Sequence, residues 1–212
     1  MKPNSSITDL LALAGPALSG ATPAVDTAAP LLLAALSGLL ARRNGFYAFE
    51  SALHVFPSGQ PLVADEPSSE SWNSLDLWRI GYDEMALGLH FFAEDIFGEQ
   101  FAIRGDEIVR FNPETGECHY HAGTIEKWAE RILAHYEYET GIHLARAWQR
   151  ANGPMRPGRR LLPSTPFILG GEYEVDNLFD GDAVEGMRFR ADLAHQVRNV
   201  PDGATVRLVI TE

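Results

Sequence analysis

The sequence predicts an α+β protein: a central, mainly antiparallel mixed sheet packed by helices, with a helix–strand extension at its C-terminal side. Three observations carry that expectation. Phe101, Ile103, Ile108 and Phe111 are spaced as strand residues, with one apolar and one wetter face. Gly105-Asp106 is a hairpin signal between two of these strands, and Asn112-Pro113-Glu114-Thr115-Gly116 is a longer turn. Pro presets a φ angle there and Gly supplies a left-handed residue at the end. Ile125, Trp128, Ala129, Ile132, Leu133 and Tyr136 then recur at helical spacing behind Thr124, an N-cap residue, with Glu126 near the positive end.

The remaining elements follow in order. Ser6 or Thr8 is placed to cap a short first helix that stops near Gly15-Pro16. Ser19 to Pro30 reads as a loop, and Pro30 opens a second helix ending at Arg42-Arg43 and Asn44-Gly45. Phe46 to Phe56 reads as a strand or an irregular strand–helix segment, Val63 to Ser71 as a surface loop, and Trp72 to Tyr82 as partly helical. Gly141 breaks the Trp128 helix, and a further helix runs to Asn152-Gly153. Met155 to Pro166, rich in Pro and Arg, reads as a linker or extended connection. Phe167 to Leu169 is expected as a short strand, Asp180 or Asp182 as the cap of a last helix, Pro201-Asp202-Gly203 as a turn, and Thr205 to Ile210 as a closing strand.

Length and charge narrow the function classes. The 212 residues suit one large domain, or a domain with an extension. A net charge of -12 repels phosphate backbones, which disfavours direct nucleic-acid binding and favours a basic partner. Arg156, Arg159 and Arg160 form a small basic patch without interleaved aromatics. Cys118 is the single cysteine, so no intrachain disulfide forms, in keeping with a reducing cytoplasm. Leu10 to Ala21 is a poor signal peptide because Asp9 and Pro16 interrupt it, and Leu31 to Ala41 is too short to span a membrane.

Few motifs point to chemistry. Cys118-His119-Tyr120-His121 would place two imidazoles on one strand face, but a zinc site needs a third ligand and none is spaced to declare itself. Cys118 as a nucleophile would need a base and a depressed pKa, and nothing in the local sequence shows either. Glu94-Asp95, being adjacent, diverge and make a poor acid–base dyad. Asp176, Asn177, Asp180, Asp182 and Glu185 do not match the calcium-loop spacing and fit a helix start instead. Gly170-Gly171 is no phosphate loop, and HExxH and GxSxG are missing. The four Trp and eleven Phe are expected in the core. No catalytic residue, cofactor or metal is therefore assigned.

Three blocks in order resemble the SUKH (Smi/Knr-like) superfamily. They are Leu39-Leu40-Ala41-Arg42-Arg43-Asn44-Gly45-Phe46-Tyr47-Ala48-Phe49-Glu50-Ser51-Ala52-Leu53, Phe92-Ala93-Glu94-Asp95-Ile96-Phe97-Gly98-Glu99-Gln100-Phe101, and the strand–turn–strand through Asn112-Pro113-Glu114-Thr115-Gly116-Glu117 followed by the Trp128 helix. The resemblance covers roughly 31–153. It divides the chain into an N-terminal helix and loop (1–30), a SUKH-like core (31–153) and an extension packed on that core (154–212). The family's Leu-Pro and acidic-aromatic lead-in is replaced here by Ala/Pro/Leu sequence, and the extension lies beyond the usual core.

The resemblance implies a non-enzymatic cytoplasmic immunity protein that binds a cognate bacterial toxin, often a nuclease, and occludes it. Acids near the central sheet (Glu94, Asp95, Glu99, Asp106 and Glu114) are then the expected partner contacts, meeting a basic cleft. Two alternatives stay open: a regulatory or scaffold protein with an endogenous partner, and a metal-dependent enzyme using His119 and His121.

Overall fold

A computed structural model of the protein describes residues 5–23, 28–198 and 200. The fold is α+β. Six strands form one sheet in chain order: β1 (Phe46–Ala48), β2 (Leu53–Val55), β3 (Leu89–Asp95), β4 (Gln100–Arg104), β5 (Glu107–Phe111) and β6 (Cys118–Ala122). Every pairing is antiparallel, so the sheet is a meander without crossovers. The Gly105-Asp106 hairpin joins β4 to β5, and the Asn112–Gly116 turn leads to β6.

Both faces of the sheet are covered. Helices α1 (Ser6–Leu13), α2 (Leu31–Arg42) and α4 (Ile125–Ala134) pack on one face, where Phe92, Phe101, Ile103 and Ile108 meet Leu36, Leu39 and Trp128. The opposite face presents Phe91, Ala102, Val109 and Phe111 to Trp72 of α3 (Ser69–Trp72), to Trp78 and Tyr82, and to Met187 and Ala191 of α7 (Ala183–Val197). The alternation of β4 and β5 therefore separates two apolar layers. The wetter face expected from the spacing is dry because α7 and the 3₁₀ segment Arg79–Ala86 lie over it.

Local chemistry sets the helix ends. Thr124 accepts from Lys127 N at 3.1 Å and buries Ile125, Trp128, Ala129 and Ile132 on the core side of α4. Pro30 precedes α2, as its missing N–H permits. The start of α1 differs from expectation: Ser5 is its N-cap residue, and Glu126 of α4 receives both Ser5 Oγ and Ser6 N, so the cap comes from another helix. Asp182 caps α7 by accepting from Val184 N and Glu185 N, whereas Asp180 is held by Arg156 and Arg159.

The segment 155–166 is not a linker. Arg159–Pro163 forms β7, which pairs with β8 (Leu178–Asp182) in a two-stranded ribbon. Leu161 and Leu178 of this ribbon join Ile96, Phe97 and the α6 (Ile142–Asn152) residues Ile142 and Trp148 in a third apolar cluster at one end of the sheet. Phe167–Leu169 is a 3₁₀ turn, not a strand. Trp72–Tyr82 is helical only at its two ends, in α3 and the Arg79 segment. The expected turn at 201–203 and strand at 205–210 lie outside the described residues. Among the described residues no helix is long and apolar enough to cross a membrane.

Gly141 separates α5 (Tyr136–Thr140) from α6 with φ +68°, and a Cβ there would lie 2.5 Å from the Phe97 ring. Gly141→Ala combines a left-handed backbone with that clash and is expected to cost about 1–3 kcal/mol. Urea unfolding of the variant checks this; an unchanged midpoint would mean the α5–α6 corner is less constrained than its geometry implies.

Candidate partner-binding surface

The acids expected at the surface divide sharply. Glu94 is 2% exposed. Its Oε1 lies 2.8 Å from Arg160 Nε and 3.1 Å from His54 Nδ1, and its Oε2 accepts from Gln100 Nε2 at 2.9 Å. The chain continues on both sides: Trp72 Nε1 donates to Gln100, and His54 Nε2 sits 2.6 Å from Glu66, which accepts from the Tyr47 hydroxyl. Burial opposes ionisation of Glu94, but Arg160, His54 and Gln100 outweigh it and hold its pKa down at about 2. Glu94 is a structural anion, not a partner contact.

Asp95 is fully buried and turns to another cation. Its Oδ1 accepts from Phe97 N and Glu99 N at 2.9 and 3.0 Å, while Oδ2 meets Arg110 Nη2 at 2.6 Å. Burial raises its pKa, with Arg110 and the two amides pulling the other way. Arg110 also binds Glu99 and Glu139, and Glu139 takes Arg131 Nε at 2.7 Å and His121 Nε2 at 3.1 Å. Burial opposes Glu139 as well, yet His121, Arg131 and Arg110 bring its pKa to about 2. Successive strand side chains point opposite ways, which is why neighbours Glu94 and Asp95 serve separate networks.

Glu114 is buried too. Its carboxylate accepts from Phe167 N at 3.2 Å and Ile168 N at 2.7 Å, tying the β5–β6 turn to the C-terminal segment. Of the five acids, Asp106 is exposed at the β4–β5 hairpin and Glu99 is partly exposed. Glu94, Asp95 and Glu114, expected as exposed acids, are instead buried internal ties, because each has a cation or amide donors waiting in the core; Glu114 also lines two surface hollows. His119 is exposed and His121 buried, so they do not converge, and no group of three metal-binding side chains occurs among the described residues. Cys118 is half-buried and burial raises its thiol pKa, the opposite of an activated nucleophile. Arg160 is buried, and Arg156 and Arg159 are paired with Asp180, so they form no basic patch.

The structure brings together a surface that the sequence did not single out. Three hollows lie in a row along the C-terminal segment and the Phe97 turn. The first, about 300 Å³, runs between Leu162, Pro166, Phe179 and Phe189. The second, about 240 Å³, shares Glu114 and Arg190 with it and is walled by Phe167, Ile168 and Tyr173. The third, about 350 Å³, shares Phe97, Glu99 and Tyr173 with the second and ends at Tyr138, His143 and Leu144. Tyr138 is 77% exposed and Tyr173 53%, and Ile168, Phe179 and Phe189 are also exposed. Clustered exposed aromatics are a feature of interface cores rather than of ordinary surface, and the carboxylates between them fit the polar rim of such a patch.

The wall around Tyr173 is held by its main chain. Asn177 accepts from Thr165 N and donates to the Thr165 and Glu172 carbonyls. Gly171 N donates to Pro166 O, in a corner so tight that a Cβ would lie 1.9 Å from Thr165 O. Tyr173 stacks on Phe167 with ring centroids 3.8 Å apart, and both meet Phe97 edge-on.

No protein-family model and no curated protein matches this chain. The crystal structure of Atu4351 from Agrobacterium tumefaciens is similar over 73% of this chain and 72% of that one, with 16% identity and a TM-score of 0.46.

Two outcomes test the buried networks. Glu94 and Glu139 have folded pKa values near 2, below the ordinary 4.5. Their stabilisation is present above pH 4.5 and is lost as the pH falls toward 2. The urea midpoint should therefore drop steadily between about pH 5 and pH 3. Glu94→Gln leaves Arg160 buried without its anion and should cost about 3–5 kcal/mol at neutral pH. A variant as stable as the parent would show that Arg160 finds another partner.

Proposed function

We propose that the protein is a non-enzymatic inhibitor of the SUKH immunity type, which binds a cognate bacterial toxin and covers its active cleft. The supporting observation is the row of three hollows, with exposed aromatics set among carboxylates on a rigid frame. Aromatic anchors supply most of the binding energy in such interfaces, and acids at the rim steer a basic partner. The disposition of basic side chains favours the same reading. Arg104, Arg146, Arg156, Arg159, Arg188, Arg198 and Lys127 are each paired with an acid of this chain. Arg43, Arg79 and Arg190 donate to main-chain carbonyls. Exposed Asp65, Asp76, Asp106, Glu172, Glu174 and Asp176 leave the net field negative, as a basic, nuclease-like cleft would require.

The test is co-expression with the product of the adjacent gene in the native genome. The inhibitor is expected to restore growth and to co-purify with that product. The association rate should fall steeply as salt rises from about 0.05 to 0.5 M. Neither rescue nor a complex, with both proteins soluble, would count decisively against this function. Changing both Phe179 and Phe189 to Ala should weaken a genuine complex by about tenfold or more while leaving the unfolding midpoint nearly unchanged.

A further inference from the structure

We infer that the hollow between Tyr138, Tyr173, Phe97 and Glu99 is a socket for one basic side chain, an arginine of the partner protein. The inference deepens the proposed function and rests on it for the identity of the partner. It rests on geometry and charge for the socket itself.

The floor of the socket is Phe97, buried and fixed by its edge contacts to Phe167 and Tyr173. Two exposed phenol rings, Tyr138 and Tyr173, stand at its rim. A guanidinium fits such walls because it stacks on aromatic faces and loses little hydration in doing so. The molecule already uses one of these rings in this way: the Arg110 guanidinium lies 5.7 Å from the Tyr138 ring centre.

Charge completes the match. One guanidinium, Arg110, is shared among three carboxylates: Asp95, Glu99 and Glu139. Arg131 supports Glu139 alone. Among the described residues Arg110 binds Glu99 through Oε2, and Oε1 accepts no protein hydrogen bond. That oxygen belongs to the one residue of the three that is partly exposed, and Glu99 lines the hollow. The exposed Glu137 adds a further carboxylate on the same rim, 3.1 Å from His143. The Tyr173 hydroxyl reports the resulting field, for burial and then Glu99, Asp95 and Glu114 push its pKa upward against Arg110. Arg110 itself forms part of the lining, but Glu99 and Glu137 line it too, and Asp95 and Glu139 also draw on the same guanidinium. A 350 Å³ hollow with aromatic walls and carboxylates in excess therefore selects a cation with a flat, delocalised head.

The socket is also built in advance. Asn177 and Gly171 fix the loop that carries Tyr173, Glu114 holds the Phe167 turn, and Gly141 lets α5 and α6 approach Phe97. Little ordering remains for binding to supply.

The experiment is an NMR titration of the full chain with N-acetyl-arginine amide, using the citrulline analogue as the uncharged, near-isosteric control. The arginine probe should produce saturable shifts centred on Phe97, Glu99, Gly141 and Tyr173. Citrulline should bind about tenfold more weakly. Tyr173→Ala and, separately, Glu99→Gln should each weaken the arginine probe by about tenfold while the other amide signals keep their positions. Should Glu99→Gln or Tyr173→Ala disturb the fold, Tyr138→Ala, a change at a ring 77% exposed on the same rim, still decides. Shifts spread over the acidic surface, equal binding of citrulline, or no effect of Tyr173→Ala would overturn the socket. Arginine binding without any toxin rescue would sink the proposed function and leave the socket standing. Rescue without arginine binding would do the reverse.

Discussion

The contact between Arg160 and Glu94 decides how the β7–β8 ribbon meets the central sheet. Arg160 comes from the β7–β8 ribbon and Glu94 from the middle of the sheet, and both side chains are almost wholly withdrawn from water. Two charges in that position are tolerable only together, since either alone would carry an uncompensated desolvation cost. The pair therefore discriminates between packings more than it adds stability. An extension docked elsewhere would leave Glu94 without its cation, and Arg160 would be stranded. The same residue, Glu94, passes the constraint on through His54 to Glu66 and through Gln100 to Trp72, so both sides of the sheet are registered against one buried anion.

Next to this network lies another of similar chemistry but different consequence. Arg110 gathers Asp95, Glu99 and Glu139 near the surface, and its ring contacts with Phe101 and Tyr138 carry the order outward. The inner network fixes the fold, and the outer one shapes an exposed wall. Phe97 stands between them, its amide held by Asp95 and its carbonyl by Arg190 of α7.

The meander, its hairpins and the Trp128 helix were legible in the sequence because each rests on local signals. Alternation, Gly105-Asp106, the Asn112–Gly116 turn and the Thr124 cap all act within a few residues of one another. What was not legible depended on distant partners. Arg160 reads as part of a solvated basic run until Glu94 is placed beside it, and Glu114 reads as a turn acid until the Phe167 amide arrives. The Pro-rich stretch hides a strand because β7 is a ribbon strand whose mate, β8, lies some fifteen residues further on across an irregular loop. The candidate surface was missed for a related reason. Tyr138, Tyr173, Phe179 and Phe189 share no period, and the eleven Phe were assigned to the core as a class. One signal was available: Glu172-Tyr173-Glu174 sets a large ring between two acids, a poor pattern for burial.

The backbone of the loop bearing Tyr173 is held by Asn177 and Gly171 acting on main-chain atoms, apart from the ring contacts it also makes. Scaffold and display are thus decoupled. A lineage can exchange the displayed side chains while the hinge-free frame stays as it is, so recognition can drift at little risk to foldedness. For the proposed inhibitor, such a division lets new pairings arise one substitution at a time.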